Sequence, residues 1–189
     1  MLPNTNMISH SFYTQSAFRF GDWYGHMALF PVLDDMKSRA QKVKSSDSRE
    51  ALRNWLSEHF AQNGAKYEFK VRTYNTYCCL CADVKLQIQL GTSPDHHPTE
   101  DGSVVWDEAT APYQTIAIVE FPPQETLSAE RRVFWEDTMK LNPWDGLVEH
   151  KPLGSINRLR KMVYEMSRKK REAVNATPSK AVNSIDEIP

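Results

Sequence analysis

Residues Asn142–Arg171 read NPWDGLVEHKPLGSINRLRKMVYEMSRKKR, and the two halves of this stretch ask for different backbones. Pro143, Asp145, Gly146, Pro152 and Gly154 break the first half into turns. From Ser155 to Arg171 there is neither glycine nor proline, and the density of Arg, Lys, Met and Glu favours helix. Ser155 or Asn157 can cap that helix by accepting from one of its free N–H groups. At about 100° per residue, Arg160, Tyr164 and Arg171 fall near 0°, 40° and 20°, one narrow stripe, with Arg168 flanking it near 80°. The pattern therefore predicts a tyrosine ringed by guanidinium groups.

A phenol with a pKa of about 10 ligates metals poorly at neutral pH, but a permanent positive charge within about 4–6 Å stabilises the phenolate. Phenolate is an axial ligand for ferric haem, and Arg171, two turns along, is placed to pair with a haem propionate. The same spacing also describes an ordinary amphipathic helix whose tyrosine packs and whose arginines are solvated. The spacing alone does not choose between the two.

The run NPWDGLVEHKPLGSINRLRKMVY resembles the end of the haem domain in the catalase-like family. Two further blocks carry the resemblance, QSAFRFGDWYGHMALFPV near the start and GSVVWDEATAPYQTIAIVEFPPQ in the middle, so that it covers most of residues 11–174. It implies an α+β fold: the second half of a catalase-like antiparallel β-barrel with C-terminal helices, the basic one being the proximal haem helix. It further implies that Tyr164 is the metal ligand, that Arg160 is a catalytic and cofactor-binding residue sustaining the tyrosinate, and that Arg171 also binds the cofactor, ferric haem b. Hydrogen peroxide or an organic hydroperoxide would be the substrate.

Composition narrows the class. With 189 residues, 40% of them apolar, and a net charge of −1, the chain can bury a core, and one domain is the plain expectation. Near-neutral charge argues against a dedicated nucleic-acid binder. No apolar run approaches the roughly 20 residues of a membrane span. Cys78, Cys79 and Cys81 lie too close together for a disulfide framework, which points to an intracellular, cytoplasmic setting.

In chain order, residues 1–10 read as a flexible start. Gly21-Asp22 is a turn before a strand over Trp23–Val32, in which His26 is a structural residue. Asp47 and Glu50 open an amphipathic helix over 49–62, whose Leu52, Trp55, Leu56, His59 and Phe60 form a core stripe that Asn63-Gly64 ends. Tyr67 and Phe69 begin an alternating strand that Leu86, Ile88 and Leu90 continue. Between them Val71–Lys85 differs in composition and reads as an insertion. Its first residue is encoded by GT-starting codons and its last by codons that can end in AG, which fits translated intron sequence. The cysteines within it, with His96 and His97, lack the spacing of a structural zinc site, and the two histidines read as loop polarity. Val104–Trp106 reads as a short strand or bridge, Tyr113–Phe121 as a longer strand, and Ser128 as the cap of a helix over 129–141 with Val133, Phe134 and Met139 inward. Residues 175–189 read as a disordered tail.

The family's distal histidine and asparagine have no counterpart here, so the expectation is a C-terminal fragment, a truncated product or half of a two-chain site. Three readings follow: a haem-binding part of a peroxide-metabolising oxidoreductase, a truncated non-catalytic remnant acting as a haem-binding or interaction module, or a basic helix docking on an acidic partner or membrane surface. A half-barrel would leave strand edges unpaired, so self-association is expected.

Overall fold

A computed structural model describes residues 5–32, 42–72, 95 and 97–189. The strands are β1 (Phe12–Tyr13), β2 (Phe18–Phe20), β3 (Trp23–Pro31), β4 (Ala65–Arg72) and β5 (Tyr113–Phe121), and the α-helices are α1 (Ala51–Gln62), α2 (Ala129–Val133) and α3 (Gly154–Asn175). The class is α+β, as expected, and the antiparallel sheet has the order β1-β3-β4-β5 with β2 on β3. Among the described residues this sheet is open and does not close into a barrel. The chain divides into two compact units rather than the single domain expected: residues 1–14, 27–72 and 113–126, and residues 15–26, 73–112 and 127–189.

In the first unit β4 and β5 pair along their whole length, with one irregularity at Phe69/Lys70. Lys66 stands opposite Glu120 and pairs with it at 2.6 Å. The two-residue period puts Ala65 and Tyr67 on one face, where they meet Ile8, Leu29, Leu56 and Phe60. Leu56 and Phe60 come from α1, so these two members of its apolar stripe pack on the core. The helix begins at Ala51, two residues later than the pattern suggests, and its N-cap Glu50 makes no side-chain cap bond. Tyr67 donates its hydroxyl to the Ile8 carbonyl at 3.1 Å, and burial pushes its phenol above the usual value.

Within residues 5–10, Ile8 sits in the core on a short turn, Met7–Ser9, and the Asn6 side chain accepts from the Ile8 N–H. The strand β4 runs two residues into the supposed insertion, with Val71 opposite Gln114 and Arg72 opposite Tyr113. The rest of Val71–Lys85, its three cysteines, the strand expected at 86–90 and His96 lie outside the described residues.

In the second unit β2 turns into the start of β3 through Gly21-Asp22, with Gly21 in the left-handed region and Phe20 opposite Trp23. The core here is Ala17, Trp106 and Ala111, with Tyr24 and Leu153 packed on it. Val104–Trp106 forms no strand: Val105 is 86% exposed and Trp106 is 2% exposed, an anchor in irregular backbone. His97 is not loop polarity either. It is 2% exposed and lies edge-on to Trp106, with ring centres 5.2 Å apart, while His26 meets the same indole at 4.5 Å.

Ser128 caps α2 as expected, accepting from Arg131 N at 3.0 Å, but α-helix gives way after Val133 to a wider π turn over Phe134–Thr138. Val133, expected inward, is exposed. The last residues dock where a disordered tail was expected. Beyond Asn175, Lys180 N donates to Thr138 O and Lys140 N to Lys180 O, both at 2.8 Å. No described helix is long and apolar enough to cross a membrane.

Candidate functional site

The turn-rich lead docks on β2 and the residues just before it. Leu153 N donates to Ala17 O, Arg19 N to Lys151 O and Gly21 N to Glu149 O, at 2.8–3.0 Å. Gly154 then opens α3 with φ +85°, and a Cβ added there would run into the Thr99 carbonyl, so only glycine fits the corner. The expected caps do other work. Ser155 Oγ donates to Glu100 O at 2.8 Å, and Arg158 forks onto the Glu100 carboxylate at 2.9 and 2.6 Å. That hydrogen bonding lowers the Glu100 carboxyl and raises the Arg158 guanidinium.

Asn157 is completely buried. Its amide nitrogen donates to Leu153 O at 2.9 Å and Ala17 O at 3.2 Å, and its backbone carbonyl accepts the Trp144 indole N–H at 2.9 Å. Its side-chain oxygen is left facing along the helix, where Arg160 Nη1 donates to it at 3.2 Å. The other arm of the same guanidinium, Nη2, donates to the Tyr164 hydroxyl oxygen at 2.9 Å, with the guanidinium carbon 5.2 Å from the ring centre. The structure thus brings Arg160 and Tyr164 together as their four-residue spacing predicts.

It does not build the predicted ring of arginines. Arg168 pairs with Glu172 at 2.9 Å, and Arg171 donates to the carbonyls of Glu136 at 3.0 Å and Met139 at 3.2 Å. Each finds a nearer acceptor than the phenol. Glu172 also accepts from the hydroxyl and backbone N–H of Ser179; these bonds, with Arg168 behind them, hold its carboxyl below the usual value.

As a ligand set, this is one half-buried phenol whose oxygen already receives a cationic donor, which fits a phenolate ligand to ferric haem. Among the described residues no three His, Cys, Asp or Glu side chains gather as a metal site, but a single phenolate ligand forms no such cluster. Arg171 fits its expected part less well, since two of its N–H groups already serve the π turn. His150 lies 5.2 Å from the Phe20 ring with its Nδ1 buried and without a hydrogen-bond partner among the described residues, a feature no motif announced. The role of Asn157 was equally hidden, because it reads in sequence only as a possible cap. No protein-family model matches this chain, and no curated protein matches it significantly.

Proposed function

We propose that this chain is a catalase-like haem-binding protein of the peroxide- or hydroperoxide-metabolising oxidoreductase class, in which Tyr164 supplies the proximal phenolate ligand to ferric haem b. The observation that carries this reading is the hydrogen bond from Arg160 to the Tyr164 oxygen, with Arg160 itself oriented by the buried Asn157. A guanidinium that both donates to a phenolate and neutralises it favours the charged, ligating form. Bound haem supplies an iron centre able to react with peroxides. The chain's own part is to ligate it, to hold a guanidinium N–H on the ligand oxygen and to fix its direction from a helix. Pairing of Arg171 with a propionate would use its remaining N–H groups or release the two carbonyls.

The test is a ferric haem titration followed by absorption spectroscopy. Wild type should give a high-spin spectrum with tyrosinate charge-transfer character. Tyr164→Phe should lose it at every pH, whereas Arg160→Ala keeps the oxygen and should regain part of it in alkaline solution. An unchanged spectrum in Tyr164→Phe would move the ligand elsewhere, with His150 and His26 next to be tested. A non-catalytic haem-binding or interaction module is the second reading, and the commitment of Arg171 to backbone carbonyls favours it.

A further inference from the structure

Helix α3 is amphipathic in the reverse of the usual sense. Asn157, Arg160, Tyr164, Arg168, Arg171 and Asn175 share an arc of about 80°. That polar face is the one tied down within its unit, through Ala17 O, the π turn and Asp137. Leu159, Met162, Val163, Met166 and Val174 lie on the other side in an arc of about 120°. All five are 50–71% exposed. A surface helix ordinarily turns such a stripe inward.

The charges indicate what covers it. From Gly154 to Asn175 there are seven basic residues against two acidic, a net +5. Arg158 is neutralised by Glu100 and Arg168 by Glu172, but Lys169 and Lys170 have no acidic partner among the described residues. Lys170 falls inside the apolar arc itself. A second copy laid on this stripe would bring like charges together, which is unfavourable. A tightly packed acidic protein partner would have to bury Lys170 beside the methionines. At a lipid surface the same lysine keeps its stem among the apolar side chains and raises its ammonium to the phosphates. Ile156, at the start of the same arc, packs on Gly102, but beyond it the five residues are exposed with no described element walling them into a groove, so a flat surface fits better than a bound peptide.

We infer that the Leu159–Val174 face of α3 docks on an anionic lipid surface. The inference is independent of haem, because Tyr164 lies on the opposite side of the helix. The test is co-sedimentation of the full chain with phosphatidylcholine vesicles with and without phosphatidylserine, at low and high salt. Binding should require phosphatidylserine and weaken with salt. Lys169→Gln and Lys170→Gln should each weaken it about fivefold. Met162→Glu/Met166→Glu should abolish it while leaving the circular dichroism and Tm unchanged, since both side chains are exposed. Absence of binding, or equal binding to vesicles lacking phosphatidylserine, would overturn the inference. So would a concentration-dependent dimer that the methionine double variant dissolves, which would assign the stripe to a second copy.

Discussion

Asn157 offers the sharpest test of how the candidate site is held, because two substitutions of it should differ in a direction that geometry fixes. Asn157→Ala removes two donated hydrogen bonds and the one accepted from Arg160. At about 1 kcal/mol net per bond this amounts to roughly 3 kcal/mol. The Ala17 carbonyl keeps its bond from Leu153 N at 3.0 Å, so it is not orphaned, and the cost settles at about 2–3 kcal/mol. Asn157→Asp keeps the shape but turns the inward donor into an acceptor facing two carbonyl oxygens from a fully buried position. A buried charge aimed at acceptors costs about 3–5 kcal/mol, only partly offset by a stronger bond from Arg160. Aspartate should therefore be worse than alanine, and its penalty should shrink in acid as the carboxyl takes up a proton and recovers one donor. Urea unfolding followed by tryptophan fluorescence measures both, and Trp144, which donates to the Asn157 carbonyl, reports locally. The reasoning is refuted if aspartate is tolerated as well as alanine, or if alanine costs less than about 0.5 kcal/mol, within the range of a surface change.

Gly154→Ala should destabilise by about 2 kcal/mol or more, since it combines a left-handed φ with a clash against the Thr99 carbonyl. Gly146→Ala, where a Cβ meets open space and φ is −84°, is the matched control and should be close to neutral in Tm. Glu172 gives a pH dependence. Its folded-state carboxyl lies below the ordinary 4.5, so its contribution is complete above pH 4.5 and is lost as pH falls through the folded-state value. The difference in Tm between wild type and Glu172→Gln should accordingly be present at neutral pH and vanish in acid; a difference that persists at low pH would show that Glu172 acts through something other than its charge.

What the sequence revealed depended on how local the deciding interaction was. The four-residue spacing of Arg160 and Tyr164 is an intrahelical relation, and the structure realises it at 2.9 Å. The Gly21-Asp22 turn, the α1 stripe and the Ser128 cap are local in the same way. Arg171 falls in the same stripe and Arg168 on its flank, yet neither reaches the tyrosine. The acceptors that hold Arg171 lie more than thirty positions away, on a π turn that no periodicity forecasts. The burial of Trp106 and His97 was hidden for the same reason: both sit in irregular backbone, Trp106 held by Tyr24 and His26 of β3 and His97 by Trp106.

The helical wheel itself was legible, but its orientation was not. The residues of α3 show where an apolar stripe and a polar stripe lie, and the ordinary rule sends the apolar one inward. Here the inward choice was made by Asn157. Its amide can reach Ala17 O and Leu153 O only when the polar arc faces the unit, and the guanidinium of Arg171 and the amide of Asn175 then follow it onto the π turn and Asp137. Once that face is committed, Tyr164 is half-buried on the inside with Arg160 beside it, and Met162 and Met166 are left outside. One buried amide thus sets the surroundings of the candidate ligand and the exposure of the apolar stripe together, so a variant of Asn157 that still folds should disturb both faces of the helix.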